Sequence, residues 1–368
     1  MLHTFYNSLS ENIDAVASYD FENKKVFGSA YLVYRDGNTL EKYFGYRSLG
    51  EDAPVDGSTL FRLASMTKPI TAVATMILVE RGMISLDDTV DKFLPEFANI
   101  KLKPFGGEES VPEKLPTVKT ILTHTSGLGS VQEKMRDAGV DDKKDIDSLV
   151  NFCLKIGLDF EPDSMQKYSG VGAFDVLTKI IETVSGEDFF EFLKKEILEP
   201  CGMKDTTFVP TDEQMARLIE MHDRRDCENV AHKMPDGCIF ADIPCTHYLG
   251  GAGLVSTMDD YARFAKMLLN NGKAENGRIL SEETVSLMRT PHFFKHKGES
   301  WGLGMRVIID GHSSMPTGCF GWSGAYGSHF WIDPSNGLFA VFMKNSLVDG
   351  GAGNESSRNF EKAVYSSI

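Results

Sequence analysis

The sequence has no C-x-x-C pair, no internal repeat and no low-complexity tract. No apolar run approaches the ~20 residues that a membrane-spanning helix needs. Basic residues are outnumbered, with 38 Lys and Arg against 53 Asp and Glu, for a net charge of −15. That balance argues against the basic stripe of a nucleic-acid-binding domain and the polybasic face of a membrane-surface protein. No basic stretch leads from Met1-Leu2-His3-Thr4-Phe5 into an apolar segment, so no secretory leader is expected and a cytoplasmic location is.

Cysteine is scarce as well. Cys153, Cys201, Cys227, Cys238, Cys245 and Cys319 read as reduced thiols, since 368 residues bury a core without disulfide staples. Three of them share a 26-residue stretch with His222, His232 and His247, but the spacings match no compact zinc site. No metal and no nucleotide cofactor is expected. The stretch reads instead as a loop lining a pocket, with Tyr248 reaching into it.

What is present is an ordinary globular composition, 42% hydrophobic and 25% charged. Residues 3–19 carry a helical stripe through Phe5, Leu9, Ile13 and Val16. Residues 27–34 and 39–46 read as strands around an Asp36-Gly37-Asn38 turn. After Ser65 comes a helix with a nearly continuous apolar surface, ended by Gly82. Helical periodicity recurs in residues 146–156, 170–184 and 187–199, and again after Thr257. The pattern then changes to strands over residues 302–309, 326–332 and 338–344, followed by a helical tail from Asn354 to Tyr365. Strands near both ends and helices between them predict an α/β (α+β) fold. One antiparallel sheet would be shared by the termini (residues 1–86 and 250–368). Residues 87–249 would form an inserted, mainly helical domain, with the active site in the cleft between.

Three clusters carry chemistry. Ser65-Met66-Thr67-Lys68 opens the apolar helix, and residues three apart share a helical face. The Lys68 amine can therefore reach the Ser65 hydroxyl, a poor nucleophile until its proton is taken. Tyr168, in Lys167-Tyr168-Ser169-Gly170, is a candidate to relay that proton to a leaving group. In Trp322-Ser323-Gly324-Ala325, small residues let backbone approach a ligand. The Ala325 N–H, paired with that of Ser65, could form an oxyanion hole.

Together with Leu122-Thr123-His124-Thr125-Ser126-Gly127-Leu128, Gly250-Gly251-Ala252-Gly253-Leu254 and Trp301-Gly302-Leu303-Gly304, these stretches make the chain recognisable. It resembles the serine β-lactamase and penicillin-binding protein superfamily, class C β-lactamase-like, with family VIII carboxylesterases nearest. The resemblance runs over nearly the whole chain and implies a β-lactamase/transpeptidase-like fold. It assigns Ser65 as the acylated nucleophile, Lys68 as its base partner and Tyr168 as the tyrosine of a Tyr-x-Asn motif. Gly170 stands at that asparagine position. Trp322-Ser323-Gly324 falls on the Lys-Thr-Gly motif, so the lysine that favours a substrate carboxylate is absent.

Those departures imply a small neutral acyl ester as substrate, bound by Trp322, Ser323, Gly324, Gly170 and Tyr248, with acyl transfer as a further outcome. Two rival readings are a D-amino-acid peptidase or weak β-lactamase acting on amides, with Arg306 or another remote residue supplying the missing cation, and a catalytically silent penicillin-binding or sensor module. His124 and Ser126 are expected to pack and hydrogen-bond rather than react. Oligomeric state is not encoded in any of these features.

Overall fold

The structure is a computed structural model that describes residues 2–50, 52–139, 145–224, 231–233, 247–293, 298–310 and 314–368. The first helix, α1, is Leu2–Glu22. Strands β1 (Gly28–Arg35) and β2 (Asn38–Gly45) follow as a hairpin. Asp36 and Gly37 both have positive φ, at 50° and 88°. That is the backbone a two-residue turn needs to match the strand twist. The short strand β3 (Leu60–Arg62) pairs with β4 (Val255–Thr257) across a long sequence gap.

Near the C-terminus come β5 (Glu299–Trp301), β6 (Arg306–Ile308), β7 (Phe320–Ser323), β8 (His329–Asp333) and β9 (Leu338–Met343). They join the N-terminal hairpin in a seven-stranded sheet ordered β2–β1–β9–β8–β7–β6–β5. Every pairing in it is antiparallel. The shared sheet expected from the sequence is therefore present, with β1 of the N-terminal half bonded to β9 of the C-terminal half. All six β9 residues are buried, as an unbroken apolar strand in the middle of a covered sheet must be.

The alternation of side chains sorts the two sheet faces. Tyr31, Val33, Trp331, Ala340 and Phe342 pack against α1 and the C-terminal helix α5 (Glu355–Tyr365). Leu32, Phe320, Phe330, Ile332, Phe339 and Val341 face the larger core. There lie α2 (Thr67–Glu80), α3 (Ala173–Ser185) and α4 (Met258–Leu269). Residues Thr67 to Leu78 of α2 are all buried, which explains its apolar surface on every side. The helices between residues 87 and 249 pack on α2 mainly through α3.

Two expected strands are shorter than the sequence suggested. Gly302 and Gly304 turn the chain before β6 begins, Gly304 with φ of 83°. Residues 324–327 form a tight turn rather than the start of β8. Gly324 N–H donates to Ser328 O at 2.8 Å, and Gly327 N–H to Gly324 O at 3.0 Å. No helix among the described residues is long and apolar enough to cross a membrane.

Candidate active site

Ser65 sits in a single 3-10 turn, Ala64–Met66, that feeds directly into α2. Several long-range bonds hold this turn. Asn345, just past β9, accepts from Arg62 N–H at 2.8 Å and donates to Arg62 O at 3.0 Å. Leu63 N–H donates to Leu254 O at 2.9 Å, and the buried phenol of Tyr261 on α4 donates to Met66 O at 2.8 Å. Ala64 has φ of 45°, a left-handed backbone at a residue with a Cβ. Strain of this kind persists only where the surroundings over-determine it.

Lys68 lies one turn along, on the face of Ser65. Its Nζ is 3.4 Å from Ser65 Oγ and donates to Gly170 O at 3.0 Å and Gly251 O at 2.9 Å. The side chain is essentially inaccessible, at 1% exposure. A neutral amine has two N–H groups and one lone pair. In that neutral form, with both N–H groups on carbonyls, the lone pair would face the serine hydroxyl.

Tyr168 enters the same pocket. Its ring centroid lies 5.1 Å from Lys68 Nζ, and its phenol oxygen is buried without a hydrogen-bond partner among the described residues. The phenol is not bonded to Ser65 or Lys68 in this state. The ring stands 5.9 Å from Trp301 and 5.1 Å from Trp322, and the two indoles lie 4.3 Å apart. A cavity of about 200 Å³ opens here, lined by Gln166, Tyr168, Glu299, Ser300 and Trp301. A larger groove of about 850 Å³ runs between α4 and the β1–β2 hairpin and contains none of these residues.

His124 closes the aromatic cluster, 4.7 Å from the Tyr168 ring and 4.3 Å from Trp301. Its Nδ1 accepts from Ser169 N–H at 3.1 Å, which fixes the proton of the neutral ring on Nε2. Burial, reinforced by the charge of Lys68, holds its pKa well below the ordinary histidine value. His124 thus pins the segment that carries Tyr168 and Gly170. Ser126 Oγ accepts from Leu128 N–H at 3.2 Å, a local loop bond.

The turn after β7 approaches Ser65 from the other side. A Cβ on Gly324 would stand 2.3 Å from Leu63 O, so only glycine permits this contact. Ala325 is exposed at the tip of the turn. Neither the Ser65 N–H nor the Ala325 N–H has an acceptor among the described residues.

The remaining expected substrate contacts separate. Trp322 lies on the cleft side of β7 and Gly170 contacts Lys68. The neighbouring Ser323 points through the sheet, where its Oγ lies 2.8 Å from His329 Nδ1. Strand alternation turns it towards α5, so it offers the cleft only backbone. Tyr248 packs on Phe190 and Phe208, with ring centroids at 5.6 and 5.2 Å. Cys227, Cys238 and Cys245 lie outside the described residues. Among the described residues, no group of three or more His, Cys, Asp or Glu could hold a metal.

Two structural contributors escaped the sequence reading. Trp301 was visible only as part of a motif, and its place against Tyr168 depends on the β5 edge reaching the helical side. Asp175, on the first turn of α3, bonds the loops that grip Lys68. An acidic residue in the first turn of a helix is common for capping alone, so the sequence carries no signal for this role.

The fold and this serine–lysine pair define a β-lactamase/penicillin-binding-protein-type hydrolase architecture. The Beta-lactamase family profile matches residues 13–361, and the chain belongs to that family. It is 29% identical to esterase EstB of Burkholderia gladioli over 378 residues, covering 94% of this chain and 93% of that one. It is 30% identical to lovastatin esterase of Penicillium rubens over 365 residues, covering 88% of this chain and 90% of that one. Among solved structures, EstCE1, a hydrolase with promiscuous acyltransferase activity, superposes with a TM-score of 0.85 at 25% identity. That match covers 99% of this chain and 100% of the other. The chain is thus related to esterases and acyltransferases of this family.

Proposed function

We propose that the protein is a serine hydrolase of the carboxylesterase type, nearest in kind to family VIII, which cleaves small acyl esters through an acyl-enzyme on Ser65. The observation that carries this reading is the 3.4 Å approach of Ser65 Oγ to a buried Lys68 amine whose N–H groups are already engaged by carbonyls. In the unprotonated form that amine takes the hydroxyl proton as Oγ attacks the acyl carbonyl. The two free N–H groups of Ser65 and Ala325 receive the charge that develops on the carbonyl oxygen. The unpartnered Tyr168 phenol passes a proton to the departing alkoxide. Water, or a competing alcohol, then releases the acyl group by the reverse sequence.

The aromatic wall of Tyr168, Trp301 and Trp322 favours a neutral, apolar acyl or alcohol group. The peptidase or β-lactamase alternative needs a cation where Trp322 stands. Arg306 does not provide it, because its guanidinium is directed to Glu299 at 3.4 Å and Glu361 at 3.9 Å. Turnover of p-nitrophenyl acyl esters against nitrocefin tests the order of these readings. Ester turnover lost in Ser65→Ala supports the esterase. Strong nitrocefin turnover with negligible ester turnover reverses it. Absence of both, with no fluorophosphonate labelling, supports a silent binding module.

A further inference from the structure

Lys68 is held by two loops far apart in sequence, and one side chain fixes both. Asp175 is 1% exposed. Its Oδ2 accepts from Gly172 N–H at 2.9 Å and its Oδ1 from Gly251 N–H at 3.2 Å. The first bond closes the loop whose Gly170 carbonyl takes one N–H of Lys68. The second orients the peptide whose Gly251 carbonyl takes the other.

The Gly251 residue is wedged between the two charged groups. A Cβ placed on it would lie 3.4 Å from both Asp175 Oδ2 and Lys68 Nζ. No direct ion pair joins them. The chain of contacts runs carboxylate, N–H of Gly251, C=O of Gly251, ammonium. Hydrogen bonds aligned in this way polarise one another in a buried setting. Asp159 is a further carboxylate on this side, close enough to act on Cys153, and it is paired with Lys134 at 2.8 Å. Tyr168 and Phe174 present ring faces to Lys68, and His124 is neutral. On the neighbouring helix, the Cys153 thiol is pushed up by burial and by Asp175 itself, so it stays protonated.

We propose that Asp175 is a positioning residue for Lys68. It sets the two carbonyls that aim the amine at Ser65 and supplies, through the Gly251 peptide, the negative charge that balances Lys68 when it carries the proton. The proposal rests on the acyl-enzyme reading above.

The test compares wild type with Asp175→Asn and Asp175→Glu. The readouts are kcat and KM for p-nitrophenyl butyrate across pH, fluorophosphonate labelling of Ser65, and thermal unfolding. For Asp175→Asn we expect a fall in kcat of about 10- to 100-fold with KM little changed. The acidic limb of the pH–kcat profile should move to lower pH by about half a unit or more, because a balancing negative charge is gone. Asp175→Glu, which keeps the charge, should restore the wild-type limb and part of kcat. An activity loss that merely follows reduced folding, with the limb unmoved, overturns the proposal, as does a wild-type profile in Asp175→Asn. Should Asp175→Asn not fold, Asp175→Glu decides alone: its carboxylate is displaced by one methylene, so unchanged kcat overturns the proposal and reduced kcat with the limb kept supports it. Wild-type protein that never labels at Ser65 overturns the acyl-enzyme reading and this proposal together. A labelled wild type with an indifferent Asp175→Asn overturns only this one.

Discussion

Gly324 shows how much of the site is decided at single residues. Its missing side chain is what lets the turn after β7 rest against the Leu63 carbonyl, two residues before Ser65. Gly324→Ala must push that turn away, since the added Cβ would meet Leu63 O and Ser328 Oγ, each at 2.3 Å. If the Ala325 N–H serves the transition state, kcat should fall by about 10²-fold or more, the usual loss when one oxyanion donor is displaced. Steady-state kinetics beside a thermal melt checks this, and a variant that melts earlier but turns over normally would contradict it. The pairing of Ser65 with Lys68 was legible in the sequence, because i and i+3 on a helix meet whatever surrounds them. The grip on Lys68 was not legible. Its acceptors lie 102 and 183 residues away along the chain, and only the folded loops bring them together. The direction of the Ser323 side chain was not legible either: motif position does not say which way a strand residue points, and its hydroxyl lies against His329.

At the scale of elements, the sheet and its two terminal helices form a scaffold on the face away from the cleft. Phe360 and Val364 of α5 are fully buried against Tyr31, Trp331 and Phe342. Phe360→Ala should cost about 3–5 kcal/mol of folding stability, as large core deletions do. Urea denaturation would show it, with kcat per folded molecule unchanged. The end of α1 carries a titrating group. Burial pushes the Asp20 carboxyl up to about 6, against the opposing pull of Ser356, Lys344 and Lys25. The folded state then binds more protons than the unfolded chain between about pH 4 and pH 6, so stability falls as pH rises through that window. The loss is on the order of 2–3 kcal/mol by pH 7, and Asp20→Asn should remove that slope. Melts at about pH 3.5, 5 and 7 (one point on each side of the window and one within it) read it directly. Equal slopes in both proteins would contradict the assignment. The long elements were readable from periodicity alone: α1, the β1–β2 hairpin, α2, β9 and α5 fall where expected. The short β3–β4 pair and β5 were not, because two or three residues carry no period and depend on distant partners.

At the scale of the whole molecule, the two chain ends build one sheet and the segment between them supplies the wall that carries Tyr168. The composition argued against a nucleic-acid surface, and the motif spacing pointed to a family. Substrate charge is the property that the family resemblance could not settle by itself. With Trp322 in the cleft and Arg306 turned to Glu299 and Glu361, neither of these two residues offers a cation to a substrate carboxylate. Trp322→Lys should therefore lower turnover of neutral esters and raise relative nitrocefin turnover by about 10-fold, the scale of one partly solvated charged contact. No change in that ratio would show that selectivity lies elsewhere in the wall.

The central claim is that Ser65 becomes covalently acylated with Lys68 as its proton acceptor. Intact-protein mass spectrometry after brief exposure to a slowly released acyl ester tests it most directly. The account predicts one added acyl group, mapped to the peptide containing Ser65, absent in Ser65→Ala and formed at least about 10³-fold more slowly in Lys68→Ala. An adduct that persists in Ser65→Ala, or one that forms at the wild-type rate without Lys68, would contradict it.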